Sequence, residues 1–177
     1  LDHWGTYADI VTIGKSLGAG YAPIAATLIT NKIYNPIEKG SGIIISGHTY
    51  SGHPLSCATA LCVLNTIEED NLIENVYEKG EILKTSLLEI KSKYNFITKV
   101  RGKGLLLGVE FVPSIKNLQA QVIEACFKNG LLVYPSVGGE KGEDENGIMI
   151  APPFIINNNE MELLIAKLNE SLSQLKL

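Results

Sequence analysis

The chain has 177 residues, 45% of them hydrophobic and 19% charged, with a formal net charge of -4. That apolar content supports a folded core and excludes intrinsic disorder, and interleaved charges under a small negative total offer no field to nucleic acid or an anionic membrane surface. The apolar runs are far shorter than the roughly 20 residues that span a bilayer, so no transmembrane helix is expected.

The first residues, Leu1 to Gly5, have neither the charged start nor the apolar stretch of a secretory signal, and position 1 is not Met. The chain opens inside what reads as folded protein, and a fragment of a longer or split protein is expected. Residues 8–13 alternate small and β-branched side chains and read as a strand. This strand runs into Gly14-Lys15-Ser16-Leu17-Gly18-Ala19-Gly20, a glycine-rich loop. Apolar residues 24–29 and 43–45 read as two further strands, followed by the turn Tyr50-Ser51-Gly52-His53-Pro54. Residues 55–67, rich in Ala, Leu and Cys, read as a helix, and Asn71 is a candidate N-cap after Glu68, Glu69 and Asp70. Leu72, Val76, Leu83, Leu87 and Ile90 recur at helical spacing, which predicts a long amphipathic helix over 71–94. Strands over 104–111, 131–134 and 148–151 then alternate with helices over 117–128 and 159–175. This is a small α/β or α+β domain. Residues 137–147 carry four glycines and read as a surface loop between two strands.

Cys57, Cys62 and Cys126 are an odd number without zinc-type spacing and read as reduced, mostly buried thiols of a cytosolic protein. His3, His48 and His53 are too scattered to suggest a metal site.

Two segments are candidates for chemistry. Taken alone, Lys15 is a surface charge like other lysines, but it follows an apolar strand and precedes glycines that allow close approach, where a partly desolvated amine would sit. Desolvation favours the neutral amine, the form that attacks an aldehyde. Gly14-Lys15-Ser16 also ends like a phosphate-binding P-loop, but the glycine required five positions before Gly14 is Asp9, which argues against nucleotide binding by that motif. The second segment, Gly47-His48-Thr49-Tyr50-Ser51-Gly52-His53-Pro54, is either a hydroxyl- and imidazole-bearing site or simply a hydrogen-bonded turn capping the next helix.

Residues 8–24, Ala-Asp-Ile-Val-Thr-Ile-Gly-Lys-Ser-Leu-Gly-Ala-Gly-Tyr-Ala-Pro-Ile, resemble the Schiff-base lysine segment of class III aminotransferases. His48 to Leu55 resembles that family's segment in which a threonine of one subunit binds the cofactor phosphate of the other. Val100-Arg101-Gly102-Lys103-Gly104-Leu105, with Gly108-Val109-Glu110, resembles its small-domain strand, and Ile150-Ala151-Pro152-Pro153-Phe154 resembles its near-terminal motif. The resemblance covers nearly the whole chain. It implies the α/β fold of pyridoxal-phosphate-dependent enzymes of fold type I, the aspartate-aminotransferase type. Residues 1–70 would be the end of the large cofactor domain and 71–177 the small C-terminal domain.

On the same resemblance the cofactor is pyridoxal 5'-phosphate, Lys15 is its Schiff-base lysine and the catalytic proton carrier, and Thr49 is a phosphate ligand across a homodimer interface. The implied reaction moves an amino group from an amine or ω-amino acid to an oxo acid such as pyruvate, with ping-pong kinetics. The implied partners are these small molecules, a second subunit and an N-terminal half-chain, with no nucleic acid or membrane; the implied location is cytoplasmic. The family's carboxylate for the pyridine nitrogen, its same-subunit phosphate loop and its ring-stacking aromatic residue would precede Leu1. Members that take α-amino acids or pyruvate commonly carry an arginine near the strand before Ala-Pro-Pro. Here Arg101 is the only arginine, in a setting that reads as structural, and Lys141 is only a loose carboxylate partner. Two alternatives remain: an inactive fragment or dimerisation module, and a decarboxylase or racemase on the same fold.

Overall fold

The computed structural model describes residues 4–136 and 146–175. The chain divides into two compact units, Leu1–Asp70 and Asn71–Leu177.

In the first unit, β1 (Ile10–Ile13) and β2 (Ala26–Ile29) form an antiparallel pair, with Ile10 opposite Ile29 and Ile13 opposite Ala26. Their β-branched residues favour the extended backbone. Helix α1 (Asn31–Lys39) follows, which the sequence reading missed. Its Asn31, Asn35 and interior Pro36 are poor helix formers, and only Ile33 and Ile37 give an inward pair. Residues 43–45, expected to be a strand, have no regular structure, and Ile45 is 95% exposed. An apolar run becomes a strand only by pairing, and no ladder forms there. Helix α2 (Pro54–Glu69) closes the unit. Its Cys57 and Cys62 are exposed, correcting the expectation of mostly buried thiols. Both lie off the stripe of half-buried positions Ser56, Thr59, Val63 and Ile67, one on each flank.

The second unit holds a four-stranded antiparallel sheet in the order β3-β4-β6-β5. Its strands are β3 (Ile97–Lys103), β4 (Leu106–Phe111), β5 (Tyr134–Ser136) and β6 (Gly147–Ile150). Helices α3 (Leu72–Lys93) and α4 (Leu118–Lys128) pack on the sheet, and α5 (Asn158–Ser173) packs against both helices. Along β4 the buried Leu107, Val109 and Phe111 alternate with outward positions. They join Leu83, Leu87, Val122, Ile148, Met161 and Leu168 in one core.

β3 covers part of the segment 100–105 that resembles the family's small-domain strand, but periodicity does not show it, because its alternating Lys99, Arg101 and Lys103 give an edge strand little apolar signal. Residues 131–133, expected within β5, are not part of it: the pairing with β6 begins at Tyr134. Asn71 does precede α3, but its backbone is left-handed (φ 51°) and its side chain caps nothing. The true side-chain cap is at α5, where Asn157 Oδ1 accepts the Glu160 N–H at 3.0 Å and Glu160 Oε2 accepts the Asn157 N–H at 3.0 Å.

Two contacts set the spacing of the second unit. A Cβ at Gly80 on α3 would stand 2.6 Å from the Gly104 backbone, and Gly104 itself has φ +54°, so two glycines let the helix touch the β3–β4 turn. Gln119, buried on α4, donates from Nε2 to the Ser136 carbonyl at 2.8 Å and the Gly147 carbonyl at 2.6 Å, clipping β5 to β6. The remainder of the 137–147 loop, including Lys141, lies outside the described residues.

Candidate active site

The Lys15 loop is built by backbone reversal. Gly14 is extended, Lys15 has φ 52°, and Lys15–Gly18 forms a 3-10 turn. Ala19 (φ 45°) and Gly20 (φ 81°) then turn the chain back. The turn is held by the Leu17 N–H to the Gly14 carbonyl (3.2 Å), the Ala19 N–H to the Ser16 carbonyl (3.0 Å) and the Tyr21 N–H to the Gly18 carbonyl (2.8 Å). Gly18 is buried, and a Cβ there would come within 3.1 Å of Ile24 Cγ2.

Lys15 is exposed, and among the described residues no hydrogen bond or ion pair engages its Nζ. The partial desolvation expected from the sequence is not seen among the described residues. The glycines around the lysine carry no side chains to wall it in.

Behind the loop, Asp9 gathers the far end of the hairpin. Its carboxylate accepts Thr30 Oγ1 at 3.1 Å and Lys32 Nζ at 2.7 Å, while its carbonyl accepts the Thr30 N–H at 3.0 Å. The sequence assigns Asp9 no contact of its own, since its link to Thr30 spans 21 residues and has no local signal.

Thr49 sits in a compact turn. The His48 N–H donates to Ser51 Oγ at 3.0 Å, the Ser51 N–H to the His48 carbonyl at 2.9 Å, and the His53 N–H to the Tyr50 carbonyl at 3.1 Å. Gly52 takes φ +70°, and the Tyr50 and His53 rings meet edge-on with centroids 6.1 Å apart. The turn does not cap α2 with a side chain; His53 occupies the N-cap without such a bond, and Pro54 fills the first helical position, where no N–H is needed. Thr49 is exposed, with no described partner for its hydroxyl. Lys15 and Thr49 therefore stand on separate turns of one unit, not bonded to each other. Helix α2 links them: it begins just after the Thr49 turn and packs against the Lys15 turn.

Taken separately, these groups suit the two ends of an aldehyde-bearing phosphate ester. An unpaired primary amine answers the aldehyde, an unengaged hydroxyl answers the phosphate, and open space extends around Gly20 and Gly52, where an added Cβ would meet nothing within 4 Å. Other sites are less suited. Arg101 Nε is held by Glu110 Oε1 at 2.5 Å, so its guanidinium serves the sheet. A cavity of about 420 Å³ beside Pro152 and Pro153 is lined mainly by aliphatic side chains, and its Glu160 is already used in the α5 cap. Among the described residues no group of His, Cys, Asp and Glu is arranged to hold a metal ion, and no helix is long and apolar enough to cross a membrane.

A family profile described as aminotransferase class-III matches residues 1–172. The aminotransferase YodT of Bacillus subtilis (strain 168) is 44% identical over 181 residues, covering 97% of this chain and 41% of YodT. A transaminase from the marine bacterium Virgibacillus superposes with a TM-score of 0.90 at 30% identity, over 98% of this chain and 40% of that one. An amine transaminase from an uncultivated Pseudomonas species, solved in its PLP-bound form, superposes with a TM-score of 0.87 at 30% identity, over 98% of this chain and 40% of that one. The chain thus spans about two fifths of the length of the proteins it matches.

Proposed function

Since the chain belongs to the class III aminotransferases, we propose that it forms part of an enzyme moving an amino group from an amine or ω-amino acid to an oxo acid such as pyruvate. The family's cofactor is pyridoxal 5'-phosphate, which supplies an aldehyde carbon for an amine and an electron sink for the carbanion formed at the donor. The observation that carries the reading is the Lys15 turn: an unpaired amine on a left-handed, glycine-flanked turn at the end of β1.

In this reading Lys15 Nζ tethers the cofactor. With the donor amine in its place, the same Nζ would be the group that holds and moves the proton between the donor Cα and the former aldehyde carbon, which are joined through the donor nitrogen. Thr49 Oγ1 holds the phosphate, in the site of a partner subunit, as the resemblance implies. Exposed Lys15 then gains its desolvation from surfaces beyond those described, and the exposed Ile10, Leu28, Ile44 and Leu55 of the same unit support such a covering. We place the protein in the cytoplasm as a homodimer; three unpaired thiols agree with a reducing compartment.

The test is the absorption spectrum with pyridoxal phosphate, before and after borohydride, beside Lys15→Ala. A visible-edge band that reduction fixes on Lys15 is expected, and it should vanish in the variant. An adduct on another lysine, or none, refutes the assignment of Lys15. Pyridoxamine phosphate after donor turnover separates transamination from decarboxylation or racemisation.

A further inference from the structure

The loop that carries Lys15 closes on two residues of its returning limb. Just past the last paired residues, Ile13 and Ala26, a Cβ at Gly14 would meet Ala25 Cβ at 3.5 Å and the Ile24 carbonyl at 3.8 Å. At the buried Gly18 a Cβ would stand 3.1 Å from Ile24 Cγ2, the one atom within 4 Å among the described residues, chain neighbours aside. The glycines on both sides of Lys15 therefore rest on Ile24-Ala25. The three hydrogen bonds that hold the turn all run between residues 14 and 21, so they fix its shape without tying it to the hairpin. Lys15, at φ 52°, keeps a conformation that an L-residue leaves when nothing retains it. The half-buried Ile24 side chain is the group that meets the turn from the hairpin.

We propose that Ile24 is a positioning residue: through Cγ2 against Gly18 it seats the turn, and so sets the direction in which Lys15 Nζ leaves it. An aldehyde held elsewhere by its phosphate offers its carbon from one side only. The lysine stem is flexible, so the seat of the turn decides in what fraction of its rotamers Nζ meets that carbon. The inference rests on the reading of Lys15 as the tether of the cofactor.

The full chain is compared with Ile24→Val, which keeps Cγ2, with Ile24→Ala, which removes it, with Gly18→Ala, and with the double variant Gly18→Ala/Ile24→Ala. Gly18 is outside the left-handed region, so alanine there is opposed by Ile24 and not by its own backbone. Each protein meets limiting pyridoxal phosphate: Lys15 Nζ joins the aldehyde carbon with loss of one water, borohydride adds hydride to that carbon while the nitrogen takes a proton, and peptide mass gives the yield at Lys15. In parallel, acetic anhydride, which reaches an exposed amine from any side, acetylates Nζ with release of acetate. Hydrogen exchange of residues 10–29 follows the hairpin. Ile24→Ala and Gly18→Ala are expected to lower the Lys15 yield with pyridoxal phosphate roughly tenfold, Ile24→Val to keep it, and acetylation of Lys15 to stay unchanged throughout. The double variant is expected to lose less than the product of the two single losses, because the added Cβ then occupies space that Cγ2 has left.

Valine and alanine at position 24 losing alike, or neither losing, overturns the inference. So does acetylation that falls in step with the pyridoxal phosphate yield, since the variants would then alter the amine and not its direction, and so do single losses that simply multiply. Should Ile24→Ala lose exchange protection in the hairpin, Gly18→Ala decides by the same comparison; loss of protection there too assigns the contact to folding alone and overturns the proposal. A Lys15 adduct indifferent to Ile24 sinks this inference only, whereas no Lys15 adduct in the unaltered chain overturns the reading of Lys15 and the role of Ile24 with it.

Discussion

A lysine with φ 52° stands where side chains crowd the following carbonyl, at a cost of about 1–2 kcal/mol relative to ordinary backbone. Three backbone hydrogen bonds and the buried Gly18 hold the turn in spite of that cost. The result is an amine projected from a fixed backbone, a property suited to a group that has to meet one carbon atom. Its place after a strand and among glycines was legible in the sequence. Its exposure was not, since burial depends on surfaces that a local motif does not specify.

Cys126 is the converse case, a side chain withdrawn from chemistry. Burial pushes its thiol up from the usual range, and a hydrogen bond with Ser171 only partly opposes this. Iodoacetamide at mildly alkaline pH should alkylate Cys57 and Cys62 and spare Cys126 until denaturant is added, as read by peptide mass. Equal labelling of all three would contradict the closed core around α4. The folded state holds the Cys126 proton more tightly than the unfolded chain does. Its stability contribution is therefore complete below the ordinary thiol range and is lost as pH rises through the raised value.

At the scale of elements, periodicity served where one face meets a core and failed where it does not. The spacing of Leu83, Leu87 and Ile90 announced α3, and all three are buried. Helix α1 buries none of its residues and β3 presents three cations, so neither carried a pattern to find. The three isoleucines 43–45 carried a strong strand signal that no pairing fulfils. Long-range contacts such as Asp9 with Thr30 and Gly80 with Gly104 have no signature in a window of neighbouring residues.

Gly80 also sets two effects of opposite sign against each other. Ala in place of Gly inside a helix ordinarily gains about 1 kcal/mol. Here the new Cβ would stand 2.6 Å from backbone atoms of Gly104, which cannot rotate away, and overpacking of that kind costs about 1–3 kcal/mol. Gly80→Ala is therefore expected to lower the denaturation midpoint. A raised midpoint would mean that α3 and the β3–β4 turn separate freely.

For the molecule as a whole, the two units differ in what they can support alone. The second has a continuous core from Leu83 to Leu172, whereas the first buries only a glycine and an alanine among its described residues. With fully buried Leu or Ile side chains contributing roughly 1.5–3 kcal/mol each, only the second has the apolar burial to offset chain entropy. Residues 71–177 expressed alone should unfold in a single cooperative transition in urea. A broad, non-cooperative transition would show that their core needs the first unit.

The Gln119 clip has a consequence for protein engineering. One amide fastens the last residue of β5 and the first of β6, so the sheet is sealed at the mouth of the connection between them. Register at this edge is thereby held by a helix side chain as well as by the strand ladder, so any redesign of β5 or β6 has to keep the amide at position 119.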